Sequence, residues 1–156
     1  HYVRRLSAEV LLDAISQATG EPEPFPGRPR GTRAIELWDN RLPSYFLEIF
    51  GRPERTSPCE CGRTSEPTMS QALHLMNAPE VETKISSAEG RVTALVKSGM
   101  SANSLIDELC LAALGRLPQE SELQIAQQLF ESTPRQQAAE DFLWTLLNSY
   151  DFLFVK

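Results

Sequence analysis

Ser101-Ala102-Asn103-Ser104-Leu105-Ile106-Asp107-Glu108-Leu109-Cys110-Leu111-Ala112-Ala113-Leu114-Gly115 is the stretch whose reading decides the fold class. A serine stands where a helix N-cap is wanted, and its hydroxyl can accept from a backbone N–H of the first turn. Leu105, Ile106, Leu109, Cys110 and Ala113 then recur at helical spacing, which puts them on one stripe. Gly115 can take the left-handed position that closes a helix. This pattern predicts a helix buried along one side, with Cys110 as a small buried hydrophobe.

Similar signals extend towards the C-terminus. Pro118 starts a second pattern with Leu123, Ala126 and Phe130 inward. Thr133, Pro134 and Gln136 open a third, whose buried face is Ala139, Phe142, Leu143, Leu146 and Leu147. The apolar tail from Tyr150 to Val155 is expected to dock back on the core. Towards the N-terminus, residues 91–98 read as a short helix closed by Gly99. Asn77 is expected to cap another short helix, with Pro79 and Glu80 in its first turn. Thr68 and Gln71 have the spacing of a capping box ahead of Met69, Ala72, Leu73 and Met76.

The N-terminal third is less regular. Ser7 is an N-cap, Leu6 can staple onto Leu11, and Val10, Leu11, Ala14, Ile15 and Ala18 form a stripe closed by Gly20. Glu9 suits the positive end of that helix. Then Pro22, Pro24, Pro26 and Pro29 alternate with Gly27 and Gly31, and no regular helix survives. Residues 32–38 read as extended. Phe25, Ile35, Leu37 and Trp38 are too apolar for a free linker, so this segment reads as an ordered arm. A short helix follows, from Ser44 to Gly51, with Tyr45, Phe46, Ile49 and Phe50 as its apolar face. The expected fold is all-α: an orthogonally packed multi-helix domain with a Pro-rich irregular arm. It is read as one domain over 1–156, with a helix at 1–20, the arm and a Cys loop at 21–66 and a helical bundle at 67–156.

Composition narrows the function classes. The 156 residues carry 15 basic and 21 acidic side chains, a formal charge of -6. Binding to phosphates through counterion release needs clustered Lys and Arg, so nucleic acid is not the expected partner. No apolar run is long enough to span a bilayer.

Chemistry-bearing residues cluster at one place, the loop Cys59-Glu60-Cys61 and the helix beyond it that carries His74. The two thiols can pack in the loop or close one structural bridge. They can also form a strained, easily reduced disulfide with a thiol-redox role. With His74 they would make at most three ligands, whereas a structural zinc wants four. On a helical wheel His74 points away from Met69, Ala72, Leu73 and Met76, beside Ser70. No acid that would orient its imidazole is evident, so it reads as a surface or interface histidine bonded to a neighbour. The carboxylate pairs Asp107 and Glu108, and Glu140 and Asp141, read as solvated helix faces. Arg52, Arg55 and Arg63 read as local ion-pair partners of Glu54, Glu60 and Glu66. Trp38 in the arm is the better candidate for a surface contact, including a stacked sugar, and Trp144 is expected in the core.

Four stretches carry a family resemblance. They are residues 4–15, residues 43–53 (Pro-Ser-Tyr-Phe-Leu-Glu-Ile-Phe-Gly-Arg-Pro), the Cys59–Asn77 motif, and the pair formed by 111–118 and 141–154. The chain resembles the uncharacterised PSD domain at the C-terminus of large planctomycete-type proteins that often carry a cytochrome c-like module. The resemblance implies an exported protein, in the periplasm or at the cell surface. It also implies haem redox chemistry or carbohydrate recognition in other domains of the parent polypeptide. No reaction transfers from it to particular residues. Covalent haem needs C-x-x-C-H, which Cys59 and Cys61 do not supply, so no cofactor is expected in this segment. The expected role is a non-catalytic structural or interaction module that meets other domains or a protein partner. A thiol or metal site at Cys59, Cys61 and His74, and a sugar-binding arm, are the alternatives.

Overall fold

The computed structural model describes residues 4–37, 44–52 and 68–155. Helices dominate them: α1 (Ala8–Thr19), α2 (Tyr45–Ile49), α3 (Met69–Asn77), α4 (Pro79–Ile85), α5 (Arg91–Lys97), α6 (Ala102–Leu114), α7 (Glu120–Ser132), α8 (Arg135–Leu147) and α9 (Tyr150–Leu153). A two-residue ribbon joins the ends of the chain. Strand β1 (Arg4–Arg5) pairs antiparallel with β2 (Phe154–Val155), Arg4 facing Val155. The Leu6 N–H donates to the Leu153 carbonyl at 3.0 Å and extends the ribbon.

The stretch 101–115 behaves as its sequence requires. Ser101 Oγ accepts from the Ser104 N–H at 3.1 Å, and Gly115 sits at φ 67°. Leu105, Ile106, Leu109 and Cys110 are fully buried. Helix α6 packs on α1, α7 and α8, and α8 also packs on α4 and α5. One core cluster runs through these contacts, from Leu11 and Ile15 in α1 to Phe142, Leu143, Leu146 and Leu147 in α8, and ends on Phe152 of the docked tail. The fold is all-α with several helices.

The structure corrects several local expectations. Residues 34–36 form a 3-10 turn, where an extended segment was expected. The turn is closed by Asp13, whose carboxylate accepts from the Ala34 N–H at 2.6 Å and the Ile35 N–H at 3.2 Å. The last residue of α3 is Asn77, and Ala78 takes the cap position of α4. Helix α3 buries Gln71 and Leu75, and Ala78 just past its end continues that stripe at helical spacing. Met76, expected inside, is 53% exposed. In α2 Leu47 is inside and Tyr45 outside, because the chain enters the helix turned relative to the expected face. Trp144 is only half-buried.

Several backbone ends are capped by side chains from far along the chain. The last carbonyls of a helix have no partner within it. At the end of α1, the Arg91 guanidinium donates from Nε to the Ala18 carbonyl at 2.9 Å and from Nη2 to the Gln17 carbonyl at 3.0 Å. Gly20 follows at φ 72°, and a Cβ there would stand 3.1 Å from the Arg91 nitrogen. At the end of α5, Arg135 donates to the Met100 carbonyl.

One surface ion cluster has a readable pH signature. Arg116 donates two bonds of 2.8 Å to Glu122 and one of 2.9 Å to Asp151, tying α7 to the tail. The Arg116 guanidinium holds the Glu122 carboxyl below its usual range, against partial burial that opposes it. A carboxyl depressed in the folded state stabilises above its unfolded pKa of about 4.3, and that contribution is lost as pH falls through the lower folded value. Glu122→Gln should therefore lower stability at pH 7 and flatten the acid limb below about pH 4. Urea titrations at pH 7, 4 and 3 check this. An acid limb of wild-type steepness in the variant would place the dependence elsewhere.

Candidate functional site

The sequence motifs converge on α2. This helix has five residues, too few to be stable alone, and its C-terminal carbonyls face inward. The last two, of Ile49 and Phe50, are met from elsewhere in the chain. Gln71 Nε2 of α3 donates to the Ile49 carbonyl at 3.0 Å. Arg5 of β1 donates to the Phe50 carbonyl at 3.0 Å and lies over the Phe50 ring, 5.3 Å from its centroid. Gln71 also forms the expected capping box with Thr68, so one side chain serves both the start of α3 and the end of α2.

Arg52 completes the knot. Its Nε lies 3.7 Å from Glu9 Oε1 of α1, with both side chains about 10% exposed, and its Nη2 donates to the Leu37 carbonyl at 3.1 Å. The sequence reading paired Arg52 with acids of its own loop. Those acids, with Arg55 and Arg63, lie outside the described residues, among which the acidic partner of Arg52 is Glu9. Arg5 is 7% exposed, and burial pushes its guanidinium down from the usual arginine value. It stays a cation because the carbonyl and the ring face take up its charge.

His74 stands at this knot, not on an open face. Its ring meets Tyr45, Phe46 and Phe50 edge-on, with centroids at 5.3, 5.7 and 6.1 Å. The neighbour bond expected for it is not made: Nε2 is buried and has no hydrogen-bond partner among the described residues. The ring packs chiefly as an aromatic. Helix α3 buries the Gln71–Leu75 side, and that rotation carries His74 against α2. Cys59, Cys61 and Trp38 lie outside the described residues. Among the described residues no three His, Cys, Asp or Glu side chains converge as metal ligands.

Sequence reasoning missed a second feature, a groove of about 790 Å³ between the arm and α4. Pro22, Pro24, Phe25 and Pro29 line one wall and Pro79 and Thr83 the other. Lys84 crosses beneath it. Its ammonium donates to the Glu21 carbonyl at 2.9 Å and pairs with Glu23 at 3.2 Å, while its stem is buried. Arg30 bridges Glu21 and Glu89 at 3.1 and 3.0 Å, and the Ser87 hydroxyl donates to Glu21. The proline spacing was legible as an arm. The lysine that holds it down is 63 residues from Glu21 and carries no local mark.

Two outcomes follow. Arg52→Met removes the cation beside the buried Glu9 carboxylate and should destabilise the fold, with part of the loss recovered in Glu9→Gln/Arg52→Met. Chemical denaturation of the double-mutant cycle checks this, and additive losses would exclude the coupling. Burial, reinforced by the nearby Glu122 carboxylate, pushes the Cys110 thiol up to about 11. In a Cys59→Ser/Cys61→Ser background, the remaining thiol should ignore a disulfide reagent at pH 8 until the protein is unfolded. Rapid labelling of the native protein would contradict its burial.

No curated protein and no solved structure matches the chain. Residues 1–130 match the family PSD1, described as a protein of unknown function (DUF1553). The matched span contains β1, α2, α3 and the Arg91 cap, so it covers both the knot and the groove. The chain belongs to the PSD1 family.

Proposed function

We propose that residues 1–156 work as one non-catalytic interaction module of a larger exported, planctomycete-type polypeptide. It meets a neighbouring domain or a protein partner through the groove between the arm and α4, without a cofactor of its own. Haem, where the parent polypeptide uses it, belongs to other domains. The observation that carries this reading is the groove itself. Its apolar lining is Pro22, Pro24, Phe25, Pro29 and Pro79, side chains that lose little conformational freedom on contact with a partner. Its charges are largely spent internally, Lys84 on the Glu21 carbonyl and Glu23, Arg30 on Glu21 and Glu89. Such a surface favours a shape-matched apolar contact. The acidic balance of the chain speaks for a protein partner over a nucleic acid. Placement in the periplasm or at the cell surface rests on the family resemblance.

Thr83 is exposed and faces the groove. A photo-crosslinking residue at Thr83 in the native polypeptide should capture one discrete product, within the parent chain or to one partner. The same probe at Gln124, on the exposed side of α7, should not. Equal capture at both positions, or none at Thr83, would overturn the reading.

A further inference from the structure

Helix α4 has a second recess on its other side, against α8. It measures about 380 Å³ and is lined by Met76, Glu82, Ile85, Glu140, Asp141 and Trp144, among others. None of its lining residues is basic. Glu140 accepts from Gln136 at 2.6 Å, and neither Glu82 nor Asp141 has an ion-pair partner among the described residues. Met76 is 53% exposed and Trp144 half-buried. An apolar floor is thus walled by an indole and by carboxylates from two different helices. The charge pair at Glu140 and Asp141, legible in sequence only as a solvated face, is folded into a concavity.

We infer that this recess seats a basic side chain, arginine above all, presented by an extended segment of a partner polypeptide. Charge complementarity argues for that occupant. A guanidinium is planar and weakly hydrated, so it can stack on the Trp144 indole while its edge donates to Glu82 and Asp141. A metal ion does not fit, since the described acids do not converge as ligands. An acidic or neutral segment would leave the carboxylates desolvated and unpaired, which disfavours it. The exposed thioether of Met76 adapts to the aliphatic stem of the incoming side chain. The inference rests on the interaction reading for the kind of role, but it concerns a different face of α4.

The probe is the peptide acetyl-Ala-Arg-Ala-Arg-Ala-amide, titrated into isotopically labelled protein and followed by nuclear magnetic resonance. The Trp144 indole signal, identified by its loss in Trp144→Phe, should shift saturably, and added salt should weaken the binding. Glu82→Gln and Asp141→Asn should each weaken it about fivefold. Glu120→Gln and Glu131→Gln, exposed acids on α7, should leave it unchanged. Absence of a saturable shift would overturn the proposal, as would equal weakening by the α7 variants or equal binding of the glutamine counterpart peptide. Crosslinking at Thr83 reports on the other groove, so failure here with a discrete crosslink there removes the recess alone.

Discussion

The structure depends on the capping of α2 by side chains from two distant segments, Arg5 and Gln71. The local backbone meets the Phe46, Leu47 and Glu48 carbonyls of this five-residue helix but leaves those of Ile49 and Phe50 to other partners, and buried unpaired carbonyls are costly. Arg5 supplies the donor for Phe50 and Gln71 the donor for Ile49. Arg52, just past the helix, fastens it to Glu9 in α1 and to the end of the arm at Leu37. Because Arg5 sits in β1, and β1 pairs with β2, the same residue connects α2 to the docked tail.

The same device recurs. Arg91 closes α1, Arg135 the segment after α5, and Asp13 the start of the 3-10 turn. Each uses a charged side chain against backbone partial charge, a bond stronger than a neutral one. A chain built from short helices has many backbone ends for its length. Long-range caps let it keep those ends inside. This accounts for charged residues in the core that would otherwise suggest a reactive centre: Arg5, Glu9 and Lys84 are buried, and each is held by a structural partner.

What the sequence revealed follows from this. Caps made within one turn were legible, as at Ser101, Thr68 with Gln71, and Ser44, because the hydroxyl and its N–H lie three residues apart. So were the stripes of α1, α6 and α8 and the left-handed glycines. Caps made across the chain were not, because nothing local marks Arg91 as the partner of α1 or Lys84 as the anchor of the arm. The error at Met76 has the same origin. The apolar count of α3 favoured one face, but Gln71 must reach the Ile49 carbonyl, and that bond turns the helix so that Met76 is exposed and His74 meets the aromatics of α2. At the candidate site the sequence assigned His74 a polar environment, whereas its ring packs against the aromatics of α2. Both surfaces beside α4 were invisible for the same reason, since their walls come from segments far apart in the chain.

Helix α4 links architecture to function. It is short, yet it forms a wall of both concavities and is anchored by one buried lysine. The Lys84 ammonium is held by the Glu21 carbonyl and the Glu23 carboxylate, both on the arm. The position of α4 is therefore tied to that of the arm. Coupling of this kind needs no pathway through the core, because one ion pair and one hydrogen bond span the gap. A partner that displaced Glu23 from Lys84 would leave the buried ammonium with the Glu21 carbonyl and Ser16. Such a loss is costly enough that the arm and α4 should move as one body.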